Sequence, residues 1–169
     1  MALLQKIDYF GLSSSGFAVE STSENKAVGY TAEARSNDGF LIAVDVGGER
    51  IAPTVNYIVT DTATLSQIKM GKVNTINGKQ IALNSVQITT GAGENIKMTA
   101  SGQQIEDGGT AHCTATLSGI TLSNPFHANT FGLFTVSGGQ LTNSSLNVEG
   151  TMATAEVDGV IKASDLVGA

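Results

Sequence analysis

Few side chains in this 169-residue chain have the types and spacing that chemistry needs. His112 and Cys113 are neighbours, and His127 follows Pro125-Phe126 in a segment that reads as a loop. A zinc site wants several His, Cys or carboxylate ligands converging on one point. Adjacent residues on a strand point to opposite faces, so His112 and Cys113 would not share an ion. A polar-face histidine beside a buried cysteine is the expectation. No helix start near Cys113 would stabilise a thiolate, which argues against a Cys–His dyad. Glu106 and Asp107 are adjacent at the Asp107-Gly108-Gly109 turn. That suits a hairpin better than two opposed carboxylates across a hydrolase cleft. Gly91-Ala92-Gly93 is followed by the strand-like Ile96 to Ala100 rather than by a further glycine and a helix, so no dinucleotide fingerprint forms. No catalytic residue, metal site or cofactor is expected, and the chain reads as a non-enzyme.

The elements that would position these residues read as strands. Phe40, Ile42, Val44 and Val46 alternate with Leu41, Ala43 and Asp45. Val55, Tyr57 and Val59 alternate with Asn56, Ile58 and Thr60, while Val86 with Ile88, Ile96 with Met98 and Ala100, and the run from Ala111 to Leu117 alternate with polar neighbours. A period of two describes a sheet with one apolar and one polar side. Turn signals separate the runs, and Asn77-Gly78 and Asp158-Gly159 carry the residue pair that type I′ hairpins favour. One helix is expected over Thr62 to Met70, capped by Asp61 and stopped by Gly71. The fold expected is all-β: a sandwich or small barrel of about eight to ten mostly antiparallel strands, with at most one or two short helices.

Composition bounds the function. An apolar fraction of 41% with 14% charged residues fits one β-rich domain over residues 1–169 rather than a disordered chain. No apolar run approaches the ~20 residues of a membrane-spanning helix, so no membrane partner is expected. A net charge of −6 and a pI near 4.7 oppose sequence-specific DNA binding. Met1 to Asp8 lacks the layout of an export signal, because Lys6 and Asp8 interrupt the apolar start. Cytoplasmic synthesis is therefore expected.

What remains points to assembly. Residues 1–16 read as an N-terminal arm, since Leu3, Leu4, Ile7, Tyr9, Phe10 and Leu12 are costly to leave in water; a first edge strand of the same domain is the alternative. Lys69, Lys72 and Lys79 lie in a tract without acids between Asp61 and Glu94, and read as a basic edge for an acidic edge on the next copy, or as an ordinary solvated surface. The layout as a whole resembles structural proteins of tailed-bacteriophage virions, and most closely the tail-tube class. The likeness rests on the apolar stretch from Leu3 to Leu12, the Ser/Thr/Gly-rich β body, the helix candidate at Thr62 to Met70 and the acidic balance. It implies a virion subunit assembled in the host cytoplasm, six copies to a ring, other virion proteins as neighbours, and stacked rings around a channel through which DNA passes without specific binding. Glu149, Glu156 and Asp158 are candidates for the acidic wall of that channel. The alternatives are a capsid decoration or other virion accessory protein, and a carbohydrate-binding or adhesive β-sandwich. The absence of Trp, with only three Tyr, weighs against the last.

Overall fold

Alternating apolar residues that share a face need a second layer, and the way this chain supplies one organises the fold. The computed structural model describes residues 6–91, 93–105, 121–122, 130–131, 134–135, 139–149 and 152–161. They form β1 (Phe17–Ala27), β2 (Tyr30–Arg35), β3 (Leu41–Gly47), β4 (Arg50–Val59), β5 (Ala63–Thr64), β6 (Val73–Ile76) and β7 (Lys79–Gly91). These are followed by β8 (Lys97–Ile105), β9 (Thr121–Leu122), β10 (Thr130–Phe131), β11 (Phe134–Thr135), β12 (Gly139–Glu149) and β13 (Met152–Ile161). The main sheet is antiparallel, in the order β1-β4-β8-β7-β12-β13, with β6 on part of β7. Three two-stranded sheets accompany it: β2-β3, β5-β9 and β10-β11. The protein is all-β, and its main sheet does not close into a barrel.

One face of the main sheet is the core. Val55, Tyr57 and Val59 of β4, Met98 and Ala100 of β8, Val86 and Ile88 of β7, and Leu146 and Val148 of β12 are all buried on it. Apart from Ile58, their strand neighbours on the opposite face are polar, so the expected alternation holds along the centre of the sheet. On β7, Ile81 and Leu83 are odd-numbered while Val86 and Ile88 are even-numbered, yet all four are buried. A bulge explains this: the register slips between Leu83, opposite Gly102, and Ser85, opposite Ser101. The extra residue, Asn84, turns the second half of the strand over, so both apolar pairs reach the same side.

The second layer comes from the leading segment, the stretch after β4 and β9. Tyr9, Phe10 and Leu12 lie in the same buried cluster as Leu65, Ile68, Met70 and Leu122, and Ile7 packs against it half-buried. The expected assembly arm is therefore corrected over its described part. Tyr9, Phe10 and Leu12 are inside their own chain because the sheet's apolar face needs a cover, while Leu3 and Leu4 lie outside the described residues. Asp8 latches the segment in place. Its Oδ1 accepts hydrogen bonds from the Tyr57 hydroxyl at 2.5 Å, the Gly11 N–H at 2.9 Å and the Phe10 N–H at 3.3 Å. Its Oδ2 accepts one from the Ser13 N–H at 2.8 Å. Burial alone would raise the Asp8 pKa, but these donors outweigh it and hold the carboxyl below its ordinary value. Burial, and then the Asp8 charge, push the Tyr57 hydroxyl up. Gly102 sits under the latch, where an added Cβ would come within 2.6 Å of both the Phe10 ring and the Ala82 carbonyl oxygen.

Other local expectations divide. Asn77 and Gly78 have φ of 51° and 76° and link Ile76 to Lys79, which is the tight hairpin their chemistry favours. Asp158-Gly159 is no turn. It lies inside β13, opposite a slip in β12 between Leu141 and Asn143, where a mid-strand glycine marks a bulge. The helix expected over Thr62 to Met70 is a 3₁₀ turn at Leu65–Gln67 preceded by β5. The Asp61 carboxylate accepts only its neighbour's N–H, at 2.7 Å, and Leu65, Ile68 and Met70 are all buried, so packing decides the segment.

Two outcomes follow. Gly102→Ala should lower stability by about 1–3 kcal/mol in urea denaturation, because Phe10 must leave its position. The native pKa of Asp8 lies below its unfolded value of 3.8, so the latch contributes fully above that value and is lost as pH falls through the native pKa. The wild type should therefore lose stability steeply below about pH 4, whereas Asp8→Asn should start about 1–3 kcal/mol less stable and show a shallower acid limb.

Candidate functional site

The least expected feature is the β2–β3 hairpin, which projects from the main sheet as a separate ribbon. All of β2 is exposed, and so is β3 up to Val46. The six residues of β2 span about 20 Å at the usual strand rise. Opposed residues share a face, so the pairs Glu33↔Val44 and Thr31↔Val46 put Val44 and Val46 on one side. The register slips between Ala34, opposite Ala43, and Arg35, opposite Leu41, so Ile42 is the extra residue of a bulge and Leu41 comes to the side of Val44 and Val46. Phe40 stands beyond them at the tip. The unbroken alternation of Phe40, Ile42, Val44 and Val46 read from the sequence is thus corrected, and no sheet core buries them: Phe40 is 74% exposed, Ile42 67%, Val46 54% and Val44 47%. Val28, Tyr30 and Leu41 are also at least half exposed. Together these seven residues give both faces of the ribbon apolar surface in water.

The ribbon is well formed at both ends. At the neck, the Gly29 N–H is shared between the carbonyls of Gly47 (3.1 Å) and Gly48 (2.9 Å). A Cβ at Gly29 would stand 2.6 Å from the Gly48 oxygen, and at Gly47 it would overlap the Tyr30 ring, which lies across that glycine from the opposite strand. At the tip, the Ser36 N–H donates to the Phe40 carbonyl at 2.8 Å and the Phe40 N–H to Ser36 Oγ at 3.1 Å. Arg35 bridges Glu33 at 2.8 Å and donates to the Gly39 carbonyl at 3.3 Å. These bonds hold the apolar stripe out in a defined shape. A hollow of about 450 Å³ lies beside the neck, between Gly48–Arg50 and Gln103–Ile105. Among the described residues lining it, the one carboxylate is that of Glu49, which sits 3.6 Å from Lys26.

The sheet face opposite the core is polar. Asn56 Nδ2 donates to Ser21 Oγ at 2.8 Å, Thr99 Oγ1 donates to Asn56 Oδ1 at 2.8 Å, and the Thr54 and Ser101 hydroxyls are 3.3 Å apart. Glu149 stands opposite Ser85, Glu156 opposite Ser145 and Asp158 opposite Asn143, so the three proposed wall acids share this face, and all are exposed. They are spread along it rather than clustered, and Lys97 shares the face. The three lysines are placed on a different edge. Lys69 and Lys72 are exposed around a turn whose Gly71 N–H donates to the Leu83 carbonyl at 2.7 Å, and Lys79, half-buried, opens β7.

Among the described residues, no group of three or more His, Cys, Asp or Glu could hold a metal ion. His112, Cys113, His127, Glu106 and Asp107 lie outside those residues. Nor is any described helix long and apolar enough to cross a membrane. No family model, curated protein or solved structure matches the chain.

Because the stripe contributes nothing to the core, Ile42→Ser with Val44→Ser should change unfolding stability by no more than about 1 kcal/mol. Val55→Ala, inside the core, should cost about 2 kcal/mol in the same chemical denaturation series.

Proposed function

We propose that this chain is a structural subunit that does no chemistry and assembles with copies of itself through the β2–β3 arm. In this reading it acts as a tail-tube subunit of a tailed-bacteriophage virion, in rings stacked around a DNA channel. The observation that carries self-assembly is the set of apolar side chains Phe40, Leu41, Ile42, Val44 and Val46 held in water on a two-stranded ribbon. Such a ribbon is marginal alone and gains stability when a surface covers it. The tube form draws support from the polar sheet face that carries Glu149, Glu156 and Asp158. A channel wall of that kind repels phosphates and offers few counterion-releasing contacts, so DNA can slide.

Electron microscopy with light scattering on concentrated purified protein tests this. Tubes with a central hole are the expected result, and a variant with Tyr30–Gly47 replaced by Asn-Gly should stay monomeric while its chemical denaturation remains a single cooperative transition. Discrete trimers would favour capsid decoration over a tube. A wild-type protein that remains solitary at the highest concentration would end the assembly reading.

A further inference from the structure

Resting on the self-assembly reading, we propose that the arm of one copy docks on the lysine corner of a second copy, formed by Lys69, Lys72 and Lys79. The two surfaces are chemical complements. The arm from Tyr30 to Gly47 carries Glu33, Asp38 and Asp45 against Arg35 alone, a net charge of −2. Glu33 and Arg35 satisfy each other, which leaves the exposed Asp38 and Asp45 without an ion pair among the described residues. The corner has the opposite sign, and among the described residues none of its three lysines has an ion-pair partner. The unpaired acids of the arm thus meet unpaired bases of the corner.

Topology makes the contact one between copies. The arm leaves the main sheet where Ala27 pairs with Arg50. Next to that end, the Ile51 N–H donates to Gln104 Oε1 at 3.2 Å; Gln104 pairs with Ile81, and Ile81 with Asn74. The corner therefore sits at the same end of the sheet, three strands along, or about 14 Å away at the usual strand spacing. The arm extends about 20 Å from its neck and remains exposed along its length, leaving both surfaces open on each copy. Contacts between two different patches run head to tail, and they propagate into a ring or a stack. The pairing also explains why an acidic protein gathers three lysines in a tract without acids.

The test uses the full chain and four proteins: wild type, K69E/K72E, D38K/D45K, and the variant carrying all four changes. Sedimentation velocity across a concentration series gives the apparent association constant, and circular dichroism checks the fold. Each double variant should associate at least about tenfold more weakly than wild type, because like charges then face each other. The fourfold variant should recover association, and the two double variants should bind each other when mixed. Wild-type association should also weaken with added salt. If wild type and K69E/K72E associate equally while deletion of the arm abolishes association, the arm docks elsewhere and this inference is overturned, although self-assembly stands. If wild type does not associate at all, both fall.

Discussion

The β2–β3 arm answers to a constraint on every β-ribbon, which is that two strands can shield neither their faces nor their outer edges from water. In the main sheet the alternating apolar residues of the described strands reach a common side and find a cover. In the arm, the apolar residues from Phe40 to Val46 have no layer across them. The neck glycines and the hydrogen-bonded tip keep the ribbon ordered, so it is a shaped projection rather than a slack loop. Covering such a stripe releases ordered water from several large side chains together, and this is the physical drive behind the assembly proposed here.

The body shows the same constraint satisfied within one chain. The leading segment lies over the sheet because Asp8 collects three backbone N–H groups and the Tyr57 hydroxyl. A carboxylate with that many donors stays ionised although it is partly buried, and the loop closes around it. The bulge at Asn84 turns the later residues of β7 back to the core side, and Gly102 leaves room for Phe10. Bulge, glycine and latch act together: without the slip half of β7 would face outward, and without the gap the covering ring would not seat.

Electrostatics separates the two proposed roles. The acids of β12 and β13 share a face with a network of neutral hydroxyls and amides. The arm's acids instead flank apolar groups, and the lysines sit across the sheet beside the exposed part of β6. Negative charge on a broad polar wall repels a polyanion, whereas charge beside an apolar patch orients a partner.

Much of this fold was legible in the residues. Alternation identified the strands around Tyr57, Val86 and Met98 and the existence of β3, though not its bulge at Ile42, and Asn77-Gly78 identified its hairpin, because strand period and turn chemistry are local properties. Asp158-Gly159 carried the same turn signal and became a bulged strand, since pairing with β12 outweighed the dipeptide. The cap and stop around Thr62 to Met70 suggested a helix, but burying Leu65, Ile68 and Met70 against the sheet required a tighter path. The apolar residues near the start looked suited to a neighbouring subunit, and those of β3 looked suited to a core; the structure exchanges the two roles. Period and composition state that a surface must be covered. Which surface finds its cover inside the chain depends on contacts between residues far apart in sequence, and only the folded arrangement decides those.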